Sequence, residues 1–109
     1  MNAAGLTAVL NGVIARLKMP FYQSIVTNGS ISQDEFDGTL GGLISVEATL
    51  KKTPGPKIEA MVERCDAELT TYLNKFNGEW TEHPLQGFHH AQMLAGYITT
   101  VMAKSGLHE

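Results

Sequence analysis

Apolar residues recur at helical spacing in four stretches of the chain, and nowhere do they alternate with period two for long enough to make a strand. In the first stretch Leu6, Val9, Leu10, Val13, Ile14 and Leu17 fall on one stripe of a 3.6-residue helix. Phe21 and Ile25 continue it beyond Pro20, whose missing N–H either kinks the helix or opens a short second piece, the kink being the reading adopted. Asn28-Gly29 ends it, since both residues tolerate the left-handed C-cap conformation. The reading is one helix over 3–27, kinked at Pro20. The second helix spans 33–52. Ser32-Gln33-Asp34-Glu35 spells a capping box before it, and its face is Phe36, Leu40, Leu43, Ile44 and Leu50. Asp34, Glu35 and Asp37 at its start and Lys51 and Lys52 at its end match the helix dipole.

Thr53-Pro54-Gly55-Pro56 reads as a turn, and the third helix follows over 56–76. Ile58, Met61, Val62, Cys65, Leu69, Tyr72, Leu73 and Phe76 form its stripe, with Lys57, Glu59, Glu63, Arg64, Asp66, Glu68 and Lys75 opposite. Asn77-Gly78 is its expected stop. The fourth helix spans 84–104, between Pro84 and the end signal Ser105-Gly106. The expected fold is all-α, a small four-helix bundle in a single domain over 1–109, with short connections and mostly antiparallel neighbours.

Composition narrows the function classes. The chain has 109 residues, 43% hydrophobic and 17% charged, with a net charge of −3. That balance fits a packed core rather than disorder. Eight Lys and Arg against eleven acids, with no basic run, argue against electrostatic binding of nucleic acid. No basic n-region precedes the first apolar stretch, so no secretory signal is expected and the cytoplasm is the expected compartment.

Charge is distributed unevenly. No Asp, Glu, Lys or Arg occurs from His83 to Ala103. Gln86, His89, His90, Gln92, Thr99 and Thr100 within that run speak against a membrane span. The fourth helix is apolar around most of its circumference, and its remaining strip is polar but neutral. Such a helix is buried on more than one side, either as the central helix of the bundle or, the favoured reading, with its neutral strip against a second subunit. Small residues recur four apart as Ala4-Ala8-Gly12, Gly38-Gly42 and Gly87-Ala91-Ala95, which suits close helix approach within the bundle or between subunits. Gly38, Gly41 and Gly42 each cost roughly 1 kcal/mol against Ala inside a helix, so a neighbour needing the space is expected. Leucine at Gly12 or Gly87 is expected to clash.

Candidate chemistry is sparse. His89 and His90 diverge by about 100° on a helix, and His83 precedes Pro84, so no tetrahedral metal set forms and no metal or cofactor is expected. Cys65 lies on an apolar stripe, the place of an inert core thiol. No nucleophile elbow, phosphate loop or dinucleotide fingerprint is present, and the chain is not expected to be an enzyme.

Two functional expectations follow. The first is a small non-catalytic interaction protein of the kind phages and mobile elements encode. It is a homo-oligomer through helices 1 and 4 that binds and inhibits or scaffolds another macromolecule, with the Asp34-Glu35-Asp37 cluster and the Trp80 loop as partner surface. The second is a binder that sequesters a small nucleotide-like ligand between subunits. There Gln86, His89, Gln92, Thr99 and Thr100 hydrogen-bond the ligand, Arg16, Lys18 or Lys57 neutralises a phosphate, and Tyr22 or Trp80 stacks on a base. For Trp80 the plainer expectation is a cap over the bundle end, packed on Phe76 or Phe88.

Overall fold

The computed structural model describes residues 1–52, 55–79 and 82–107. Among them the fold is all-helical, with five helices and no strand: α1 Ala3–Leu17, α2 Pro20–Thr27, α3 Gln33–Lys52, α4 Pro56–Glu79 and α5 Pro84–Lys104. The bounds of α3 and α5 are those the sequence predicts. Ser32 Oγ accepts the Glu35 backbone N–H at 3.1 Å, one half of the capping box. At the far end of α5, Gly106 is left-handed at φ 73°. The Leu107 and Gly106 N–H groups close back on the Met102 and Ala103 carbonyls at 2.8 and 3.1 Å, a Schellman turn that folds Leu107 into the core.

Two boundaries differ from expectation. The helix predicted over 3–27 with a kink is two helices, which makes five where a four-helix bundle was expected. Met19 is extended, at φ −75° and ψ 152°, because the ring of a following proline disfavours the helical region for the residue before it. Pro20 then takes the first position of α2, where a missing N–H costs nothing. The second difference is that α4 continues through Asn77-Gly78 to Glu79. Gly29, Gly55 and Gly106 are left-handed but Gly78 is not, and the Asn77 side chain accepts a hydrogen bond from Arg16 of α1 instead of turning the chain. The predicted turn residues Thr53 and Pro54 lie outside the described residues.

Paired residues fix the directions of the helices. α4 and α5 are antiparallel and make the most extensive contact. Tyr72 and Tyr97 meet at 5.5 Å, while Arg64 Nη2 donates to Ser105 Oγ at 3.0 Å. α1 and α3 are antiparallel, since Ala3 and Thr7 share a cleft with Leu50 and Lys51. α1 runs parallel to α4, with Glu59 accepting the Ala3 N–H at 3.2 Å near one end and Arg16 on Asn77 near the other. α3 runs parallel to α5, with Phe36 stacked on Phe88 at 5.3 Å.

The short α2 inserts Tyr22 and Ile25 into the core, and Tyr22 stacks on Phe76 at 5.8 Å. All five helices contribute to this single core. Gly87, Ala91 and Ala95 of α5 are buried within it, so that small-residue row is internal packing. The expected clash at Gly12 does not occur within the chain, because a Cβ there meets nothing within 4 Å. The same holds for Gly38, Gly41 and Gly42, which have no close neighbour claiming their space.

Phe76 is fully buried between Tyr22 and the Arg16 guanidinium, which lies 5.8 Å from its ring centre. Truncation to alanine removes both contacts and is expected to lower unfolding free energy by about 3–5 kcal/mol in a urea titration. Gly12→Ala should instead raise it by about 0.5–1 kcal/mol, since the site is open and alanine favours the helix.

Candidate functional site

The outward surfaces of the helices divide sharply by charge. α4 exposes Lys57, Glu59, Glu63, Arg64, Glu68 and Lys75. α1 exposes Ala4, Ala8, Asn11, Gly12 and Ala15 before its terminal Lys18. The middle of α3 exposes Gly38, Gly41, Ile44 and Ala48, and α5 exposes Gln86, His89, Met93, Gly96, Thr100 and Ala103. The α5 positions recur three and four apart, so they form one strip along the helix. Ile44 and Met93 are large apolar side chains left 44% and 50% exposed on these faces. α3 touches both α1 and α5, and the middle of its outer face is uncharged between Asp34, Glu35 and Asp37 at one end and Lys51 and Lys52 at the other.

Between α3 and α5 the surface opens into a groove of about 280 Å³, lined by Gly42, Ser45, Thr49, Thr99, Met102 and Leu107 among others. Gly42 widens it by lacking a side chain. The threonine hydroxyls donate to their own helices, Thr49 to the Ser45 carbonyl at 3.0 Å and Thr99 to the Ala95 carbonyl at 2.8 Å. Each retains acceptor lone pairs towards the groove. Sequence reasoning missed Ser45, Thr49 and Leu107 here; the glycine cluster of α3 was the available signal.

The residues nominated from sequence are not brought to one place. Thr99 lines the groove, beside the end of α5. Gln92 is half-buried and donates to Glu35 Oε1 at 3.4 Å, tying α5 to the start of α3. His89 is exposed on the α5 strip, with its ring 6.3 Å from Phe88. Arg16 is half-buried at the opposite end of the molecule, on Asn77 and Phe76, and Lys18 is exposed at the C-cap of α1. Tyr22 is fully buried against Phe76, so its ring offers no face for stacking on a base. Trp80 lies outside the described residues.

The chain shows no match to any family model, curated protein or solved structure. Function therefore has to be argued from these surfaces. Among the described residues no helix is long and apolar enough to cross a membrane, and no group of three or more His, Cys, Asp and Glu is placed to hold a metal ion. Cys65 is buried, its Sγ 3.1 Å from the Met61 carbonyl, and burial pushes its thiol pKa up, away from nucleophilic chemistry.

Tyr22 carries a buried hydroxyl without a hydrogen-bond partner among the described residues. Burial raises its pKa far above the ordinary tyrosine range, partly offset by the nearby Arg16 charge. The unfolded chain therefore loses this proton first, and the contribution to stability is full below about pH 10 and declines as pH rises further. Tyr22→Phe is expected to leave stability at neutral pH unchanged or raise it by about 1 kcal/mol. It should also flatten the decline above about pH 10, as followed by urea titrations across pH.

Proposed function

We propose that this chain is a small non-catalytic interaction protein of the cytoplasm. It self-associates through the outward faces of α1 and α5, and in that assembled form binds and inhibits or scaffolds another macromolecule. The observation that carries the reading is the absence of charge from those faces ahead of their terminal lysines, while exposed charge gathers on α4 and at the two ends of α3. Cores of protein interfaces are depleted in charged residues, because each would have to be stripped of water on association. Ala4, Ala8 and Gly12 leave α1 with a low profile against which a second helix can approach closely. Open glycines inside helices lower stability by roughly 1 kcal/mol each, and close approach by another subunit is a use for them that intramolecular packing does not supply.

A second reading rests on the groove between α3 and α5, which would take a small polar ligand on the Ser45, Thr49 and Thr99 hydroxyls. It is the weaker of the two, because Arg16 and Lys18 stand at the other end of the molecule from Thr99. Of the three candidate cations only Lys57 stands near the groove, its ammonium beside Gly106.

Native mass spectrometry discriminates between them. A closed oligomer without retained small molecules is expected, and a bare 11.8 kDa monomer would contradict the self-association reading. Leucine at Gly12 and at Gly96, both open positions, should leave the helical signal intact and shift the population towards monomer. Were the groove a nucleotide site, saturating nucleotide or cyclic dinucleotide at about 100 times its Kd would add about 2.7 kcal/mol of stability. No thermal shift is expected.

A further inference from the structure

The outward face of α3, between the faces of α1 and α5, is electrically polar along its length. Asp34, Asp37, Gly41, Ile44, Ala48 and Lys52 recur three or four apart and are all exposed, so they lie on one face. Read along the helix they are two acids, three uncharged residues and a base. Glu35 adds to the acidic end. Lys104, exposed at the end of the parallel helix α5, adds to the basic end. Lys51 pairs there with Glu47 at 3.1 Å and Lys18 of α1 stands near the acidic end, so Asp34, Asp37, Lys52 and Lys104 define the polarity. Asp37 and Lys52 are separated by about 22 Å along the axis at 1.5 Å per residue.

We infer that a second copy of this chain docks on this face with its α3 antiparallel to the first, the two-fold axis passing near Gly41 and Ile44. The inference deepens the self-association reading and rests on it. A two-fold operation sets the same patch against itself. In the antiparallel orientation it places Asp34 and Asp37 of each copy against Lys52 and Lys104 of the other, whereas a parallel orientation would oppose like charges at both ends. The centre is uncharged, and the open Gly38 and Gly41 let the two backbones approach while Ile44 fills the space beside them. A strip about 30 Å long and about 10 Å wide covers on the order of 300 Å² per copy. A stable interface of roughly 1,200 Å² in total therefore also needs the flanking faces of α1 and α5.

The test is a charge swap read by sedimentation velocity and native mass spectrometry. One variant carries D34K and D37K, the other K52E and K104E. Each alone should dimerise at least about tenfold more weakly than the unmodified chain, because attraction becomes repulsion at both ends. Mixed in equal amounts they should form a one-to-one heterodimer, since one copy then presents bases at both ends and the other acids. The heterodimer also shows that both variants are folded. Oligomers that form equally well in either variant, or a mixture that gives no preference for the heterodimer, would overturn the antiparallel α3 pairing while leaving self-association through other faces standing. An unmodified chain that stays monomeric at high concentration would overturn both.

Discussion

The antiparallel packing of α4 against α5 is the contact on which the other helices depend. α4 contributes an unbroken buried stripe from Ile58 to Phe76, and α5 answers with Phe88, Leu94, Ile98 and Met102. The small Ala91 and Ala95 between them keep the α5 backbone close to its neighbours. The pair then presents a second surface to the rest of the chain. Phe88 takes Phe36 from α3, and Phe76 takes Tyr22 from α2. α1 completes the core, anchored along α4 by Glu59 on the Ala3 N–H and by Arg16 on Asn77.

This arrangement separates two tasks that most small domains spread over the whole surface. α4, amphipathic in the ordinary way, carries the alternating acids and bases that keep a chain hydrated. α1, α3 and α5 have given up that role on their outer faces, where alanine, glycine and neutral polar side chains predominate. Low-profile neutral faces solvate a monomer poorly but suit contact, since no buried charge has to be matched. What charge α3 retains is placed at its two ends, where it supplies orientation more than affinity.

Much of the fold was legible in the sequence because its signals were redundant. For α3 the periodicity, the capping box and the end charges agreed, and for α5 the apolar pattern agreed with Pro84 and Ser105-Gly106, so the bounds followed. The errors arose where a local signal has two outcomes. A proline can bend a helix or begin one, and the extended Met19 decided for a beginning. Asn-Gly can stop a helix or pass through it, and the Arg16 contact, distant in sequence, held Asn77 in α4. The surface was less legible. The small-residue rows looked alike, yet Gly87-Ala91-Ala95 is buried while Ala4-Ala8-Gly12 faces outward, opposite the buried stripe of Leu6, Leu10, Val13, Ile14 and Leu17. Tyr22 shows the same limit, since a tyrosine after a proline corner is as readily core as ligand platform. The groove at Gly42, Ser45 and Thr49 forms where α3 meets Thr99, Met102 and Leu107, a juxtaposition of residues far apart in sequence that no short-range pattern records.

The position of Cys65 has a consequence for handling and for biology. The thiol is the chain's only one, it is buried between α4 and its neighbours, and its raised pKa keeps it protonated. Oxidants and thiol reagents react with thiolates they can reach, so Cys65 is shielded from them in the folded molecule. A disulfide-linked pair of chains can form only through molecules that have opened their core. Any such species in a preparation is thus a record of past unfolding, whereas assemblies that survive reducing agent report on the folded surface.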